Sequence, residues 1–201
     1  MEDMLSGMEL DGKRAVASQW LQRLAEHHYG MYEHSLRVGT YARNVADTLG
    51  GYEPLVIEDI QQMGDLHDIG KLEISSDLLN RPSLTSEEYE TIKKHTRVGY
   101  CYLVDSLPIA ACAAGKHHPR YAVQEYPAEL SRGQREAIDK YMPVITLCDF
   151  FDALMTRQSV NYAHIEKKDS KQVRSLLERE FPTANEPINI LMLEHAKIVG
   201  H

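Results

Sequence analysis

The residues of this chain that could do chemistry are histidines and aspartates, spread along the sequence in an order that suggests one metal site. The adjacent pair His67 and Asp68, in the run LHDIGK, anchors the group. Imidazole and carboxylate together suit iron, manganese, zinc or cobalt. The candidate set is His34, His67, Asp68, His95, His117, His118 and Asp149. We interpret these residues as one binuclear metal site.

The pair His67 and Asp68 lies among apolar neighbours, which include Leu66 and Ile69. This context predicts a segment that enters the core, where an unpaired carboxylate is costly. A metal ion would neutralise Asp68. An ion pair between Asp68 and Lys71, one helical turn later, is the structural alternative.

The remaining histidine candidates are weaker one by one. His117 and His118 follow the small-residue run AACAAG, which permits close helix packing, although solvated histidines at a helix end are the alternative. His95 shares a helical face with Ile92 and Gly99, which favours an inward imidazole. Taken alone, it would be an ordinary half-buried histidine.

Asp149 lies in the apolar run YMPVITLCDFFDAL and shares a helical face with Ile145 and Asp152, so its carboxylate needs a partner. His34 begins the run HSLRV and shares a face with Val38. As a single residue, His34 carries little weight. Its assignment depends on the wider pattern.

The bulk properties describe an ordinary globular chain. With 201 residues and 43% hydrophobic content, it can bury one substantial core. The 22 basic and 30 acidic residues give a net charge of -8, which disfavours binding to nucleic acid polymers or anionic membranes. A small anionic substrate would therefore need local positive charge, which a metal centre can supply.

The three cysteines, Cys101, Cys112 and Cys148, show no CxxC spacing and lie in apolar helical stretches. We expect buried free thiols, which fits a reducing cytoplasm. The start, MEDMLSGMELDGKR, does not read as a secretory signal, and no apolar run reaches membrane-spanning length. A cytoplasmic location is therefore expected.

Helical periodicity dominates the chain and strand-like alternation is nearly absent, so we expect an all-α fold. Thr85 and Glu88 form a possible capping box before the segment that carries His95. The stretch from Pro119 to Gly133 is expected to be a loop. Beyond two N-terminal amphipathic stripes, helices are expected at about 55–68, 85–104, 108–117, 135–155, 169–180 and 187–199.

Four segments together resemble the HD superfamily of metal-dependent phosphohydrolases, and most closely its HD-GYP branch of cyclic dinucleotide phosphodiesterases. They are HSLRVGTYA, LHDIGKLEISSDLLNRPSLTSEEYETIKKH, the HH pair and DFFDALMTRQ. The resemblance implies a single HD-domain helical bundle with a binuclear metal site in its core. It implies an N-terminal helical extension at 1–30, a catalytic core at 31–160 and C-terminal helices at 161–201 packed on that core.

The resemblance also implies how the ligands divide. His34, His67, Asp68 and Asp149 would hold one divalent ion, and Asp68, His95, His117 and His118 the second, with Asp68 bridging. Iron or manganese is the first choice, and zinc, cobalt, nickel and magnesium are alternatives. Some relatives carry a glutamate for a third metal at the position of Gly30, so two ions are expected here.

Further site roles follow from the chemistry of metal-bound water and phosphate esters, and for Arg157 from the same resemblance. Hydrolysis would use a hydroxide that bridges the ions, with Asp68 and Lys71 as the catalytic residues. Lys71 would contact a phosphoryl oxygen, and Arg157 would contact phosphate unless it is a solvated helix-end residue. Tyr126 would stack on or hydrogen-bond a base, with loop packing as the alternative.

The loop after the HH pair departs from the family pattern. The family reads HHExxDGxGYP and this chain reads HHPRYAVQEYP, so Tyr126 and Pro127 remain; the changed positions are Pro119, Ala122, Val123 and Glu125. We expect a small-molecule phosphate ester as substrate, a cyclic dinucleotide such as cyclic di-guanylate first. The alternatives are a nucleotide monoesterase and a non-catalytic nucleotide-sensing module. A homodimer is left open.

Overall fold

The computed structural model describes residues 2–49, 54–156, 165–167 and 169–200, and every regular element in these ranges is helical. The all-α prediction is therefore confirmed. The α-helices are α1 (Glu2–His27), α2 (Tyr29–Leu49), α3 (Pro54–Leu66), α4 (Ser76–Leu79), α5 (Ser86–Lys93), α6 (His95–Leu103), α7 (Pro108–Lys116), α8 (Arg132–Thr156), α9 (Ser170–Glu180) and α10 (Asn185–Val199). Two 3₁₀ helices lie at Ile69–Glu73 and Pro119–Tyr121.

The capping box before α5 is confirmed. Glu88 donates its backbone N–H to Thr85 Oγ1 at 3.2 Å, and its carboxylate accepts from the Thr85 N–H at 2.9 Å. The single helix expected at 85–104 is instead two, because the α-helix is interrupted by a turn at Lys94 between α5 and α6. This break places His95 at the first position of a new helix.

The expected helix at 55–68 ends earlier, at Leu66. His67 and Asp68 form a turn that leads into the 3₁₀ helix Ile69–Glu73. Their side chains therefore do not follow helical spacing from α3. The loop after His118 begins with the short 3₁₀ helix Pro119–Tyr121 and continues until α8 begins at Arg132.

The core consists of two neighbouring apolar clusters. One joins α2 with the long helix α8 and the C-terminal helices α9 and α10. The other joins α1 and α2 with α6, α7 and the end of α3. Helix α2 contributes to both clusters and packs against α1, α3, α8 and α10.

Helices α2 and α3 approach each other closely at two glycines. A Cβ on Gly64 would lie 2.6 Å from the Cα of Gly39, and a Cβ on Gly39 would overlap the carboxylate of Asp65. Both glycines are therefore required by the packing. This contact fixes the end of α3, and with it the His67–Asp68 turn, against the helix that carries His34.

The expectation for the cysteines is partly wrong. Cys112 and Cys148 are buried free thiols, but Cys101 is exposed because it lies on the face of α6 opposite to Gly99 and Leu103. Within the described ranges, no helix combines the length and apolar character needed to cross a membrane.

Candidate metal centre

Five parts of the fold contribute side chains to one buried cluster. Helix α2 carries His34, and the turn after α3 carries His67 and Asp68. Helix α6 begins with His95, α7 ends just before His117 and His118, and α8 carries Asp149. The structure thus brings together all seven candidates. Three groups among them have potential ligand atoms within 4.8 Å of one another: His34, His67 and Asp149; His67, Asp68 and His117; and His95, His117 and His118.

Asp68 lies at the centre of the cluster and is 1% exposed. Its Oδ2 lies 3.4 Å from His67 Nε2 and 3.6 Å from His34 Nε2. Its Oδ1 lies 3.4 Å from His95 Nε2 and 3.6 Å from His117 Nε2. One carboxylate therefore faces both halves of the cluster, as a bridging ligand would.

The first half of the cluster contains a second carboxylate. Asp149 Oδ1 lies 3.1 Å from His34 Nε2 and 3.7 Å from His67 Nε2. The rings of His34 and His67 meet edge to face, with their centroids 5.2 Å apart. Their Nε2 atoms therefore converge on the two aspartates.

The second half of the cluster consists of imidazoles. His95 Nε2 and His117 Nε2 are 3.3 Å apart, and the His118 ring lies 4.1 Å from that of His117 and 5.3 Å from that of His95. His118 is less buried than the other two. Asp149 in the first half is likewise only partly buried, so each half has one ligand candidate that is not fully enclosed.

The far nitrogens of three imidazoles are held by backbone carbonyls of the preceding helical turn. His67 Nδ1 donates to Gly64 O at 2.7 Å, and His95 Nδ1 donates to Ile92 O at 2.5 Å. His117 Nδ1 lies 3.0 Å from Ala113 O. When these imidazoles are neutral with the proton on Nδ1, each Nε2 has a lone pair that points into the cluster.

Asp152 is a site residue that the sequence reasoning did not assign. Its Oδ2 accepts from His34 Nδ1 at 2.7 Å, and Arg37 donates to both of its oxygens, at 2.6 and 3.1 Å. The available signal was its place on the same face of α8 as Asp149. Without the contact from α2, that position was compatible with many roles.

Lys71 lies in the 3₁₀ helix directly after Asp68. Its Nζ is 2.5 Å from Asp68 Oδ2, and the residue is 8% exposed. The ion pair that the sequence offered as an alternative is therefore present, alongside the surrounding imidazoles. It places a fixed ammonium group at the edge of the cluster.

The protonation of the cluster suits cation binding. Burial alone would raise the pKa of Asp68, but the charges of Lys71 and His67 hold it well below its usual range. For Asp149 the effect of burial is likewise outweighed, by the adjacent His34 and His67 imidazoles, and its pKa is also lowered. Burial lowers the pKa of His118 to about 3, which keeps this imidazole neutral. Ionised carboxylates and neutral imidazoles are the forms that bind metals.

His67 shows the opposite shift. Burial lowers the pKa of an imidazole, yet Asp68 and Asp149 together outweigh it and raise the pKa of His67 to about 10. The two aspartates thus create a strong demand for positive charge at this point. A proton can supply one charge, whereas divalent cations supply more.

Orphaned polar atoms provide the test of fit for metal ions. His34 Nε2, His67 Nε2 and Asp68 Oδ1 are buried without a hydrogen-bond partner. Buried polar atoms are normally satisfied, so three unsatisfied ligand-type atoms in one cluster need an explanation. Divalent ions bound to these atoms would supply it, and the donor set suits first-row metals.

Besides Lys71, Tyr126 and Arg157 were expected to contact the substrate. Tyr126 packs against the main core, donates its hydroxyl to Asp139 and lies under the Lys116 ammonium, 4.1 Å from the ring centroid. Arg157 lies outside the described residues. Tyr121, in the altered loop, is the aromatic residue beside the cluster, with its ring 5.0 Å from that of His118.

An all-helical fold around a buried histidine and aspartate cluster defines a class of metal-dependent helical enzymes. The sequence model of the HD domain matches residues 31–154, which include every residue of the cluster. The chain therefore belongs to the HD domain family.

Three curated relatives illustrate the comparison. A cyclic di-GMP phosphodiesterase of Thermotoga maritima is 32% identical over 154 residues, and the cyclic di-GMP phosphodiesterase response regulator RpfG of Xanthomonas campestris is 35% identical over 125. A 3'3'-cGAMP-specific phosphodiesterase 2 of Vibrio cholerae is 27% identical over 168 residues. The matches cover 72%, 60% and 81% of this chain but only 40%, 32% and 31% of these relatives.

Proposed function

We propose that this protein is a metal-dependent phosphodiesterase that hydrolyses a cyclic dinucleotide, with cyclic di-GMP as the first candidate. The observation that carries the proposal is the convergence of four imidazoles and one ammonium group on the single buried carboxylate of Asp68. The relatives named above support the substrate class, because all three are named for the cleavage of a cyclic dinucleotide.

In this proposal the seven clustered residues hold two divalent ions. His34, His67 and Asp149 serve one ion, His95, His117 and His118 serve the other, and Asp68 is shared. When bound, such ions lower the pKa of a water molecule towards neutrality and so supply the nucleophile for attack on phosphorus. Iron or manganese is our first choice of metal.

Lys71 has a distinct role in the proposal. Its ammonium group is held by Asp68 and is almost fully buried, so its charge is weakly screened and fixed in position. A phosphodiester gains negative charge on its non-bridging oxygens as the nucleophile attacks. Lys71 would stabilise that charge without having to reorganise, which is the condition for effective electrostatic catalysis.

The test combines metal content with product analysis. We expect protein purified without added metal to contain two equivalents of a first-row metal, and Asp68→Ala to lose both together. We expect the metal-loaded protein, under reducing conditions, to convert cyclic di-GMP to a linear product. Glu136→Ala, which removes an exposed carboxylate from α8 and spares the cluster, is the matched control. Two retained equivalents in Asp68→Ala would contradict the shared-ligand assignment.

The altered loop supports one rival substrate class, nucleotide monoesters or other small phosphate esters. Tyr121 stands close to His118, and a confined site would favour a smaller ester. A panel of mono- and diesters separates the two classes. Faster phosphate release from monoesters than cleavage of cyclic dinucleotides would favour the rival, and tight nucleotide binding without any product would indicate a sensing module.

A further inference from the structure

The two halves of the cluster differ in how their imidazoles are supported. His67, His95 and His117 each direct Nδ1 at a backbone carbonyl, which is a neutral dipole. His34 instead directs Nδ1 at the carboxylate of Asp152, at 2.7 Å. A carboxylate behind an imidazole makes the opposite nitrogen a stronger electron donor and fixes the ring orientation.

Asp152 is itself held firmly. The residue is completely buried, and Arg37 donates from Nε to Oδ1 at 2.6 Å and from Nη2 to Oδ2 at 3.1 Å. Thr156 Oγ1 lies 3.4 Å from Oδ2. A fully satisfied buried carboxylate of this kind has little freedom to turn away from His34.

The formal charges of the two halves also differ. The half with His34 and His67 includes the Asp149 carboxylate, whereas the half with His95 and His117 is completed by the neutral His118. Asp68 is shared, with one oxygen towards each half. The first half therefore offers a dication one more carboxylate ligand, while the Lys71 ammonium lies on the same side, 2.5 Å from Asp68 Oδ2.

From these differences we propose that the two ion positions are unequal. The position at His34, His67 and Asp149 binds its ion tightly, and the position at His95, His117 and His118 holds the exchangeable ion. Asp152 is the positioning residue that sets this order through His34. The inference rests on the proposed function for the presence of two ions, but it concerns their affinities rather than the reaction.

The experiment is a titration of the metal-free full chain with Mn²⁺. Binding is measured by calorimetry and by the electron paramagnetic resonance signal of the free Mn²⁺. We expect two classes of binding, one equivalent each, in the unaltered protein. His118→Ala should keep the tight class of Mn²⁺ binding and lose the weak one. This result assigns the weak class to the position at His95, His117 and His118. Asp152→Asn should weaken the tight class about 10-fold or more and leave the weak class unchanged.

Two further variants separate this effect from damage to the fold. Arg37→Gln removes the cation from Asp152 but leaves the carboxylate on His34, so the tight class should persist. Asp139→Asn, the same chemical change on the same helix α8, should match the unaltered protein in both classes. A fold defect in Asp152→Asn would lower both classes, whereas the proposal requires the loss to fall on one.

The inference is overturned if the unaltered protein binds two equivalents with equal affinity, or if Asp152→Asn weakens the class that His118→Ala removes. It is also overturned if Asp152→Asn weakens neither class. Each of these results can occur in a protein that cleaves cyclic di-GMP, so they reject the inference without rejecting the proposed function. Two unequal classes of binding in a protein that does not cleave the diester would support the inference and reject the proposed function.

Discussion

Gly70, in the LHDIGK run, has a strict steric role that can be tested by one added methyl group. A Cβ at this position would lie 2.0 Å from His95 O, 2.8 Å from His95 C and 2.5 Å from the backbone nitrogen of Gly99. All three contacts are with backbone, so no flexible side chain can move aside. The turn that carries Asp68 and the start of α6 that carries His95 are therefore in direct contact through this glycine.

The size of the effect of Gly70→Ala follows from these distances. The His95 carbonyl must retreat by roughly 1.4 Å, from 2.0 Å to about 3.4 Å, before the methyl group reaches ordinary van der Waals contact. Overpacking of this kind costs about 1–3 kcal/mol of the free energy of unfolding. A misplacement of about 1 Å at a catalytic site can lower activity about 100-fold. His95 moves with its carbonyl, so the metal position at His95 should suffer first.

The assay compares Gly70→Ala with Gly133→Ala, because a Cβ on Gly133 meets nothing within 4 Å. We expect the control to keep its metal content, thermal midpoint and rate of cyclic di-GMP cleavage. For Gly70→Ala we expect loss of about one metal equivalent and a midpoint lower by about 2–4 °C per kcal/mol lost. Elemental analysis, thermal unfolding and initial rates measure the three quantities.

If Gly70→Ala retained both metal equivalents, the full rate and the original midpoint, the contact between the two segments would not be rigid. The argument that the glycine fixes the distance between Asp68 and His95 would then be wrong. A lower midpoint with unchanged metal content and rate would assign the glycine to stability alone.

Three further predictions concern single residues. Lys71→Gln should lower turnover about 100- to 1,000-fold while elemental analysis still finds two equivalents, because in the proposed mechanism the ammonium stabilises charge on the substrate and is not a metal ligand. Burial raises the pKa of Asp59 to about 6, because the folded state disfavours the ionised carboxylate. The protonated group costs the fold nothing below the unfolded value of 3.8, and stability is lost as the pH rises from there through about 6. Asp59→Asn should therefore stabilise the protein in thermal unfolding at pH 8 by about 1 kcal/mol, allowing for solvent screening, and by less at pH 5. Val123→Gly should cost roughly 2–3 kcal/mol of the free energy of unfolding, measured by denaturant titration, because Val123 is buried.

The regular parts of the fold were predictable because their signals are local. Apolar periodicity and the capping box of Thr85 and Glu88 depend on residues within one or two turns, and the structure has helices close to the expected ranges. The break at Lys94 was not predictable from such signals. It follows from the docking of His95 and Gly99 against Gly70, which are distant in sequence and meet only in the folded chain.

The candidate site shows the same difference between residues that local signals identify and residues whose role depends on distant contacts. Seven side chains were selected from their types, their order and a family resemblance, and the structure brings them together. Asp152 was not selected, although it shares a face of α8 with Asp149. Its role depends on contacts with His34 and Arg37 of α2, and periodicity along one helix says nothing about a partner more than 100 residues away.

Val123, in the altered loop, has a packing role in the structure that its sequence position did not indicate. The resemblance places Val123 at a family glycine position in the loop whose changes left a non-catalytic sensing module open as an alternative. In the structure Val123 belongs to the second apolar cluster and donates its backbone N–H to Gly115 O at 2.8 Å. Its side chain also packs on Gly115, because a Cβ added to that glycine would lie 3.1 Å from Val123 Cβ. The valine is therefore a packed residue that anchors the loop just after His117 and His118. A loop fixed by packing can present Tyr121 beside His118 in a constant position, which is a requirement for selectivity rather than a sign of its loss.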